Sequence, residues 1–285
     1  MRKKILITVS DEVSHLYGLR FAGSFFRNKT QVDATLFYVA PHSDFGDTKP
    51  VSEDLKIRRA VQNRAGTVLD TARQKLLDFG FPPENLTTAF TLNQFGRVND
   101  IVRQARSGKY DAVVLGKRGY LFFQSIMESS VVRQILARDL DFPIWICKNP
   151  KEHLKNVLVC VDGSEAALRM VDHVGFILGE ENQHCLTLLH VDTGGTKDSA
   201  LIIEQARNKL TQNCIPDDRI KPLVVRSSKS GVAKIILEEA ASGNYAAVGL
   251  GRVGIRRGGL KEWLVGSRAA KVIESIEKTS VWISS

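Results

Sequence analysis

The chain contains the same sequence unit twice, and this repeat limits the possible folds more than any other feature. KKILITVSDEVSHL at Lys3 returns as KNVLVCVDGSEAAL at Lys155, and SGKYDAVVLGKRG at Ser107 returns as SGNYAAVGLGRVG at Ser242. Near the end of each copy, FPIWIC is matched by TSVWIS. Because these landmarks keep their order, each copy is expected to encode the same series of elements.

The repeat predicts two domains of ordinary size. We place the first at residues 1–149 and the second at residues 150–285, and call them the first and second halves. They join near KNPKEHLKN, a polar segment with a proline that is typical of a linker. With 43% hydrophobic residues among 285, the chain has enough apolar side chains for a sizeable core.

Within each half, short runs rich in Val, Ile and Leu alternate with longer segments of helical period. The runs KILITVS, DATLFYVA, LTTAFTL, DAVVLG and PIWIC are interpreted as strands, with helices near 14–27, 52–79, 97–107 and 129–138. The second half repeats the strands as NVLVCVD, LTLLHVD, IKPLVVRS, AAVGLG and SVWIS. Strands that are apolar on both faces and separated by helices indicate a parallel sheet covered on two sides. We therefore predict two doubly wound α/β domains with five-stranded parallel sheets.

Charge and cysteine content exclude several function classes. The net charge of +9 is compatible with nucleic acid, but the cations mostly alternate with acids along helices, as on a solvated face, and no nucleic-acid-binding motif is found. The four cysteines are widely spaced without a CxxC pair, which indicates reduced thiols. The first apolar run stops at Ser10-Asp11-Glu12, too early for a signal or membrane span. We expect a cytoplasmic protein without a nucleic-acid partner or stable membrane insertion.

The fold class predicts where a ligand binds. In a doubly wound sheet, ligands bind at the carboxyl ends of neighbouring strands whose connections leave to opposite faces. For five strands wound in this way, the crevice lies between the first and fourth. In the second half, these strands are followed by Asp162-Gly163-Ser164 and by the glycine-rich stretch that begins GLGRVGIRRGG.

The glycine-rich stretch has the chemistry of a phosphate site. Glycines let backbone N–H groups approach an anion, and the helix start near Gly266-Ser267-Arg268 adds unpaired N–H donors. The alternative is that the glycines only make turns and the arginines only solubilise a loop, but the position beside the crevice favours binding. Six cations face one acid, Glu262, between residues 251 and 271: Arg252, Arg256, Arg257, Lys261, Arg268 and Lys271.

These residues resemble the universal stress protein family, in a tandem arrangement that covers essentially the whole chain. The family pattern is an aspartate ending the first strand, a Leu-His-Val-like end of the second strand, and Gly-x2-Gly-x9-Gly-Ser/Thr after the fourth. In the second half the matching segments are VDGS at Val161, LLHV at Leu188 and LKEWLVGS at Leu260.

The resemblance implies a flavodoxin-like or Rossmann-like fold, related to the adenine nucleotide alpha hydrolases, with dimers through the last strand. It also implies binding of ATP, ADP or AMP, with Mg²⁺ as a possible companion. Asp162 would touch the nucleoside, and the Val191 main chain the adenine edge. Gly251 and Gly254 would line the ribose and phosphates, and the phosphate tail would be held by Gly266, Ser267 and the Arg268 N–H. The full candidate set is Val161, Asp162, Gly163, Ser164, Val191, Leu250, Gly251, Arg252, Gly254, Gly266, Ser267 and Arg268.

One departure from the family pattern concerns the glycine loop of the second half. Eleven residues separate Gly254 from Gly266, where the pattern has nine. Either the extra residues around Ile255–Arg257 bulge outward, or Gly258 takes over part of the role of Gly254.

The first half keeps less of the pattern. It has GKRG at Gly116, but Ser129-Ser130 stands where Gly-Ser is expected, and Ser10 replaces the aspartate. Leu121, Phe122 and Phe123 fill the loop, and Glu128 opposes a phosphate by like charge. We predict a degenerate nucleotide site; the alternative is that the phenylalanines line a pocket for an apolar ligand.

Two residue types have structural interpretations. Trp145 and Trp282 occupy matching places in the two final strands. Because the family resemblance implies pairing through the last strands, we predict that these two strands pair antiparallel across a pseudo-twofold axis. This gives a pseudo-dimer within one chain, and whole chains could also form a homodimer. His190 in LLHV is expected to be a packed histidine.

The expected function is a stress-response or signalling protein that binds an adenine nucleotide in its second half, without dedicated catalysis, and acts on a partner protein that the sequence does not identify. An ATP-using hydrolase or nucleotidyl transferase is the enzymatic alternative, but the chain has no GxxxxGK[ST], HExxH or GxSxG motif. A scaffold without nucleotide, or a binder of a small apolar ligand, is the third possibility.

Overall fold

The computed structural model describes most of both halves of the chain. The described residues are 2–11, 16–40, 51–93, 95–116, 140, 142–195, 198–227, 231–251, 255–257, 260–262 and 267–284. The helix predicted near 129–138 lies outside them.

The elements of the two halves follow the same order. The first half contains β1 (Lys3–Val9), α1 (Tyr17–Phe25), β2 (Val32–Ala40), α2 (Val51–Asp78), β3 (Leu86–Leu92), α3 (Arg97–Gly108), β4 (Ala112–Leu115) and β5 (Ile144–Ile146). The second half contains β6 (Asn156–Val161), α4 (Glu165–Leu178), β7 (Leu186–Asp192), α5 (Ser199–Gln212), β8 (Ile220–Arg226), α6 (Val232–Ser242), β9 (Tyr245–Gly251), β10 (Ile255–Arg257), β11 (Leu260–Glu262), α7 (Ser267–Ser275) and β12 (Ser280–Ser284).

Ten strands form one continuous sheet in the order β3-β2-β1-β4-β5-β12-β9-β6-β7-β8. All neighbours in the described sheet pair in parallel except β5 and β12, which pair antiparallel. Each half therefore contributes a five-stranded parallel sheet, and the α/β prediction is confirmed.

Apolar residues on both faces of the strands explain why helices cover both sides. Ile5 and Ile7 of β1 belong to one core cluster, whereas Leu6 between them belongs to a second. Val159 and Leu158 of β6 divide between the same two clusters. Because successive side chains of a strand point to opposite faces, this division places one core on each side of the sheet.

The two halves meet at a pair of stacked tryptophans. Trp282 of β12 pairs with Trp145 of β5, and their rings stack 4.1 Å apart at an interplanar angle of 5°. The predicted antiparallel pairing of the final strands is confirmed. The Trp145 indole N–H donates to His173 Nε2 at 2.9 Å, whereas the buried Trp282 N–H has no hydrogen-bond partner among the described residues. At the first-half position equivalent to His173 stands Phe21, whose ring meets Trp282 edge-on.

A polar segment of the second half also holds the first half. The buried Glu181 carboxylate accepts hydrogen bonds from the backbone N–H groups of Arg27 and Asn28 at 3.0 and 3.1 Å. Its neighbour Gln183 donates to the Phe25 carbonyl at 2.8 Å. These contacts satisfy polar groups that would be costly to leave unpaired in an interface.

Candidate functional site

The crevice predicted between the first and fourth strands of the second half contains a cavity. Strand β6 lies beside β9, and a cavity of about 600 Å³ opens where both strands end. Seven residues of the candidate set line it: Val161, Asp162, Ser164, Val191, Leu250, Gly251 and Arg268. Residues far apart in the sequence are thus brought to one place.

The turn after β6 positions the start of α4 at this cavity. Gly163 has φ +72°, a left-handed conformation that glycine adopts without strain. The Asp162 carboxylate accepts from the Ser164 N–H at 3.0 Å, and the Ser164 hydroxyl accepts from the Ala167 N–H at 3.2 Å. Ser164 is therefore the N-cap of α4, a structural role that the sequence analysis did not assign.

Gly251 is required by packing. A Cβ atom at this position would lie 2.4 Å from the Ala167 backbone nitrogen and 2.5 Å from the Ala166 carbonyl carbon. Only glycine lets the end of β9 approach the first turn of α4 so closely. The same close approach brings the end of β9 and the start of α4 together at the cavity.

An apolar slot extends from the crevice between the sheet and two helices. Val232 and Ile236 from α6, Ala269 and Val272 from α7, and Leu189 from β7 line it beside half-buried Val191. The sequence analysis did not name these five residues as a site. Their spacing on α6 and α7 is typical of core-facing helix residues. The local sequence pattern therefore does not distinguish residues that line a cavity from residues of a closed core.

Asp192 is a second acidic residue of the cavity that the sequence analysis missed. Its carboxylate accepts from the Gly194 N–H at 2.8 Å and lies 3.6 Å from Arg226 Nε. The sequence could have indicated Asp192 by its position, because it ends β7 after the buried residues of that strand, and β7 lies beside β6. His190 in the same strand is 7% exposed, and its Nδ1 lies 2.9 Å from the Val161 carbonyl oxygen. Since a carbonyl only accepts, Nδ1 carries the proton. His190 is therefore packed in the strand as expected, but it also lines the cavity.

The far side of the crevice is the start of α7. Ser267 is the first residue of this helix, and the next residue, Arg268, is exposed and lines the cavity. A helix N-terminus and a guanidinium together favour an anion. The remaining candidate residues, Arg252, Gly254 and Gly266, lie outside the described residues.

The extra residues of the glycine loop form a hairpin. Ile255–Arg257 pairs antiparallel with Leu260–Glu262, and only Gly258 and Gly259 separate the two strands. The sequence analysis considered a bulge at this place and did not predict paired strands. The signal was present, because a Gly-Gly pair between two short runs is typical of a two-residue hairpin turn.

Comparison with known proteins identifies the second half. The sequence model of the Universal stress protein family matches residues 153–283. Residues 153–283 are a universal stress protein domain. No curated protein sequence matches the chain.

Solved structures extend the fold to the first half. A universal stress protein from Archaeoglobus fulgidus DSM 4304 is similar over 99% of this chain and 97% of its own, with 17% identity and a TM-score of 0.68. A putative universal stress protein from Pseudomonas aeruginosa UCBPP-PA14 covers 99% and 93%, with 12% identity and a TM-score of 0.55. A universal stress protein in complex with cAMP is 25% identical over 46% of this chain and 95% of its own, with a TM-score of 0.37.

The first half has different side chains at the strand ends that are equivalent to the ends of β6 and β7. Tyr38 pairs with Val9 as His190 pairs with Val161, so Tyr38 stands where His190 does. Its hydroxyl donates to the Asp11 carboxylate at 2.7 Å, and Arg64 Nε donates to the same oxygen at 2.9 Å. Burial and the Asp11 carboxylate raise the pKa of Tyr38 to about 12.

The degenerate site predicted in the first half stays a prediction. Residues 121–123 and 128–130, on which it depends, lie outside the described residues. Gly116, the counterpart of Gly251, is the last described residue before that gap.

A cysteine thiol lines the cavity of the universal stress protein domain. Burial raises the pKa of the Cys160 thiol, which lines the cavity, to about 12, and the nearby Asp162 charge adds to this. The thiol therefore stays protonated at neutral pH and is a poor nucleophile. Among the described residues, no group of three or more His, Cys, Asp or Glu side chains is arranged to hold a metal, and no helix is long and apolar enough to cross a membrane.

Proposed function

We propose that the second half binds an adenine nucleotide in the cavity between β6 and β9, and that binding serves signalling in a stress response without catalysis. The observation that carries the proposal is the cavity itself, which lies at the switch point of a universal stress protein domain and is lined by seven candidate residues. Its volume of about 600 Å³ is within the usual range for small-molecule pockets.

The lining suggests how a nucleotide lies in the cavity. The base takes the apolar slot, where Val191 and Ile236 offer flat hydrophobic contact and main-chain groups of β7 reach its edge. Asp162 stands at the end of β6 and accepts hydrogen bonds from the sugar hydroxyls. The phosphates lie toward the start of α7, where N–H donors and Arg268 meet negative charge.

Signalling follows from linkage between the ligand and the conformation of the crevice. A nucleotide that contacts β6, β7 and α7 together favours the arrangement in which all three are in place. The partner protein would read that arrangement. The proposed ligand is ATP, ADP or AMP, and Mg²⁺ would accompany it through contacts with the phosphates.

Calorimetric titration with ATP, ADP and AMP, with and without Mg²⁺, tests the proposal. Gly266→Glu places a carboxylate at the start of α7 and is expected to abolish binding by charge repulsion. Gly66→Glu is the matched control, since a side chain at Gly66 of α2 meets open space in the first half. Equal affinities of wild type and Gly266→Glu would remove the proposed site.

Native mass spectrometry of the purified protein separates the alternatives. Retained adenine nucleotide supports the proposal, whereas a lipid-like adduct supports an apolar-ligand binder. Rapid, saturable ATP turnover that Asp162→Ala abolishes would favour a hydrolase or transferase instead.

A further inference from the structure

A second cavity lies at the opposite end of the sheet from the proposed nucleotide site. Its volume is about 420 Å³, within the usual range for small-molecule pockets. The last turns of α6 and α7, the segment that joins the two halves, Tyr245 at the start of β9 and Thr279 just before β12 surround it. None of its described lining residues lines the cavity between β6 and β9. The second cavity is therefore a separate place for a ligand.

The equivalent corner of the first half holds an ammonium group of the chain itself. Lys4 Nζ donates to the carbonyl of Gly108, the last residue of α3, at 2.8 Å. The same ammonium lies 5.0 Å from the ring centroid of Tyr110. A helix C-terminus and the face of an aromatic ring both attract a cation. This corner of the fold thus has the chemistry to bind an ammonium group.

The second half keeps the corner but lacks the lysine. The repeat makes the end of α6 and Tyr245 equivalent to the end of α3 and Tyr110, and it places Asn156 where Lys4 stands. The Asn156 side chain is neutral, and its oxygen accepts from the Cys185 N–H at 3.2 Å. The repeat therefore supplies no counterpart of the Lys4 ammonium at this helix end and ring.

Smaller side chains make room at the same corner. Ala241 stands at the position of Arg106 near the helix end, and Thr279 at the position of the buried Phe142 before the final strand. Both Ala241 and Thr279 line the second cavity. The two smaller side chains therefore contribute space where Lys4 has no counterpart.

The rest of the lining sets the chemistry of the rest of the ligand. Its apolar wall includes Leu154, Leu237 and Ile276. Such a wall suits a small aliphatic or aromatic group. The exposed Lys151 and Lys278 also line the cavity, where they repel a ligand that is only cationic and attract a carboxylate. Glu277, the one acid of the described lining, favours the ammonium.

We propose that the second cavity binds an apolar α-amino acid as its zwitterion. The ammonium takes the place that Lys4 fills in the first half, at the end of α6 and the ring of Tyr245. The carboxylate lies toward Lys151 and Lys278, and the side chain packs on the apolar wall. Binding here does not require the proposed function, because the two cavities share no described lining residue.

Calorimetric titration with L-leucine, L-phenylalanine and two leucine analogues tests the ligand class. 3-Methylbutylamine lacks the carboxylate of leucine and 4-methylpentanoate lacks the ammonium, while both keep the apolar group. Each analogue is expected to bind at least about tenfold more weakly than leucine, because each loses a charge-assisted contact. An analogue that binds as tightly as leucine would overturn the zwitterion, and failure of both amino acids to bind would overturn the site.

Two variants copy the first half into the second. Asn156→Lys supplies an ammonium as Lys4 does, and is expected to weaken leucine binding at least about tenfold. Ala241→Arg fills space with the first-half side chain and should weaken binding similarly; its position is exposed, so it remains informative if Asn156→Lys lowers the thermal midpoint. Ala60→Arg, at an exposed position of α2, is the matched control and should bind leucine as the wild type does. Undiminished leucine binding by folded Ala241→Arg would contradict the proposed site.

A charge variant tests the place of the carboxylate. Lys151→Gln/Lys278→Gln is expected to lose the preference for leucine over 3-methylbutylamine, whereas Lys56→Gln/Lys221→Gln, at exposed positions of α2 and β8, keeps it. An unchanged preference in the first pair would show that the carboxylate lies elsewhere and that the proposed arrangement is wrong.

The nucleotide-site variant Gly266→Glu distinguishes the two cavities. It should bind leucine with unchanged affinity, because its added carboxylate lies at the start of α7 and the second cavity at the end of that helix. Loss of leucine binding in this variant would place leucine in the nucleotide cavity and overturn the second site. Leucine binding without nucleotide binding by the wild type would remove only the proposed function.

Discussion

The two halves have the same sheet but treat its open end differently. In the second half, Asp162 and Ser164 turn the chain into α4 and leave a cavity above β6. In the first half, Tyr38 and Arg64 bind Asp11 at the equivalent place, so the side chains of the domain satisfy one another. The comparison teaches that the backbone frame supplies a crevice, whereas a few residues at the strand ends decide what occupies it.

One helix–strand contact has its large and small residues exchanged between the two halves, which we call the size exchange. Gly18 of α1 faces Val114 of β4, and at the equivalent positions of the second half Met170 of α4 faces Gly249 of β9. A large residue thus stands on the strand in one half and on the helix in the other. The combined volume of the two facing side chains is therefore similar in the two halves, as a common packing distance requires.

The largest effect is expected from Gly251→Val. The added side chain would collide with the backbone of Ala166 and Ala167, which cannot move as a flexible side chain can. We expect the free energy of unfolding to fall by more than about 3 kcal/mol, and nucleotide binding to be lost. Thermal denaturation measures the first effect and calorimetry the second. Gly195→Ala, which also lines the cavity but meets open space, should leave stability within about 0.5 kcal/mol; a loss as large as that of Gly251→Val would refute the packing argument.

Acidic pH is expected to lower the free energy of unfolding through two buried histidines, His173 and His184. Burial lowers the pKa of His173 to about 3 and that of His184 to about 4, whereas both titrate near 6.5 when unfolded. The unfolded chain therefore binds protons first as pH falls, so stability is complete above about pH 6.5 and is lost progressively toward pH 4. Each histidine is expected to cost about 2 kcal/mol between pH 7 and pH 5.

Urea unfolding across this pH range measures the effect. His173→Gln keeps an acceptor for the Trp145 N–H but removes one titrating group. The pH dependence of this variant should be shallower than that of the wild type. Identical slopes would show that His173 does not stay neutral in the folded protein.

A double-mutant cycle sharpens the comparison at the strand ends. Asp11→Ala removes the acceptor of the Tyr38 hydroxyl and is expected to cost about 1 kcal/mol or more. In a Tyr38→Phe background the same substitution should cost less, because no buried hydroxyl is left unpaired. Chemical denaturation of the four proteins is expected to give a coupling energy of about 1 kcal/mol, and a value near zero would show that the hydrogen bond from Tyr38 to Asp11 does not stabilise the first half.

The smallest effect concerns the size exchange. Gly249→Ala places a Cβ atom about 3.0 Å from the Met170 side chain, whose end is flexible, so a cost of about 0.5 kcal/mol is expected. In a Met170→Ala background the same substitution should stabilise the protein by filling space. Denaturation midpoints of the pair measure the change of sign, and equal costs in both backgrounds would show that the two positions are not in contact.

Much of the fold was predictable because its signals are local. β3, β7 and β12 have the predicted bounds, and the antiparallel pairing of Trp145 with Trp282 followed from the repeat and the family resemblance. The predicted helix at 14–27 is shorter at both ends, Tyr17–Phe25, within its described part. Strand ends at Asp162 and Gly251 were likewise marked by a turn sequence and a glycine, so part of the candidate site was predictable too.

Other parts of the site depend on contacts between distant segments. Ile236 and Val272 have the pattern of ordinary core residues, and only the tertiary structure shows that a slot lies between their helices and the sheet. Glu181 was similarly inconspicuous, although its carboxylate holds Arg27 and Asn28 of the other half. Neither role has a signal within its own segment.

The sequence by itself determined the repeat, the α/β class and the order of the strands along the chain, because hydrophobic period and turn residues act over a few neighbours. Only the tertiary structure decided that Tyr38, Asp11 and Arg64 bond to one another beyond the end of β1 while a cavity opens at the end of β6, and that Gly251 is needed for close packing. The physical reason is that volume, burial and hydrogen-bond satisfaction are properties of residues brought together from distant parts of the chain.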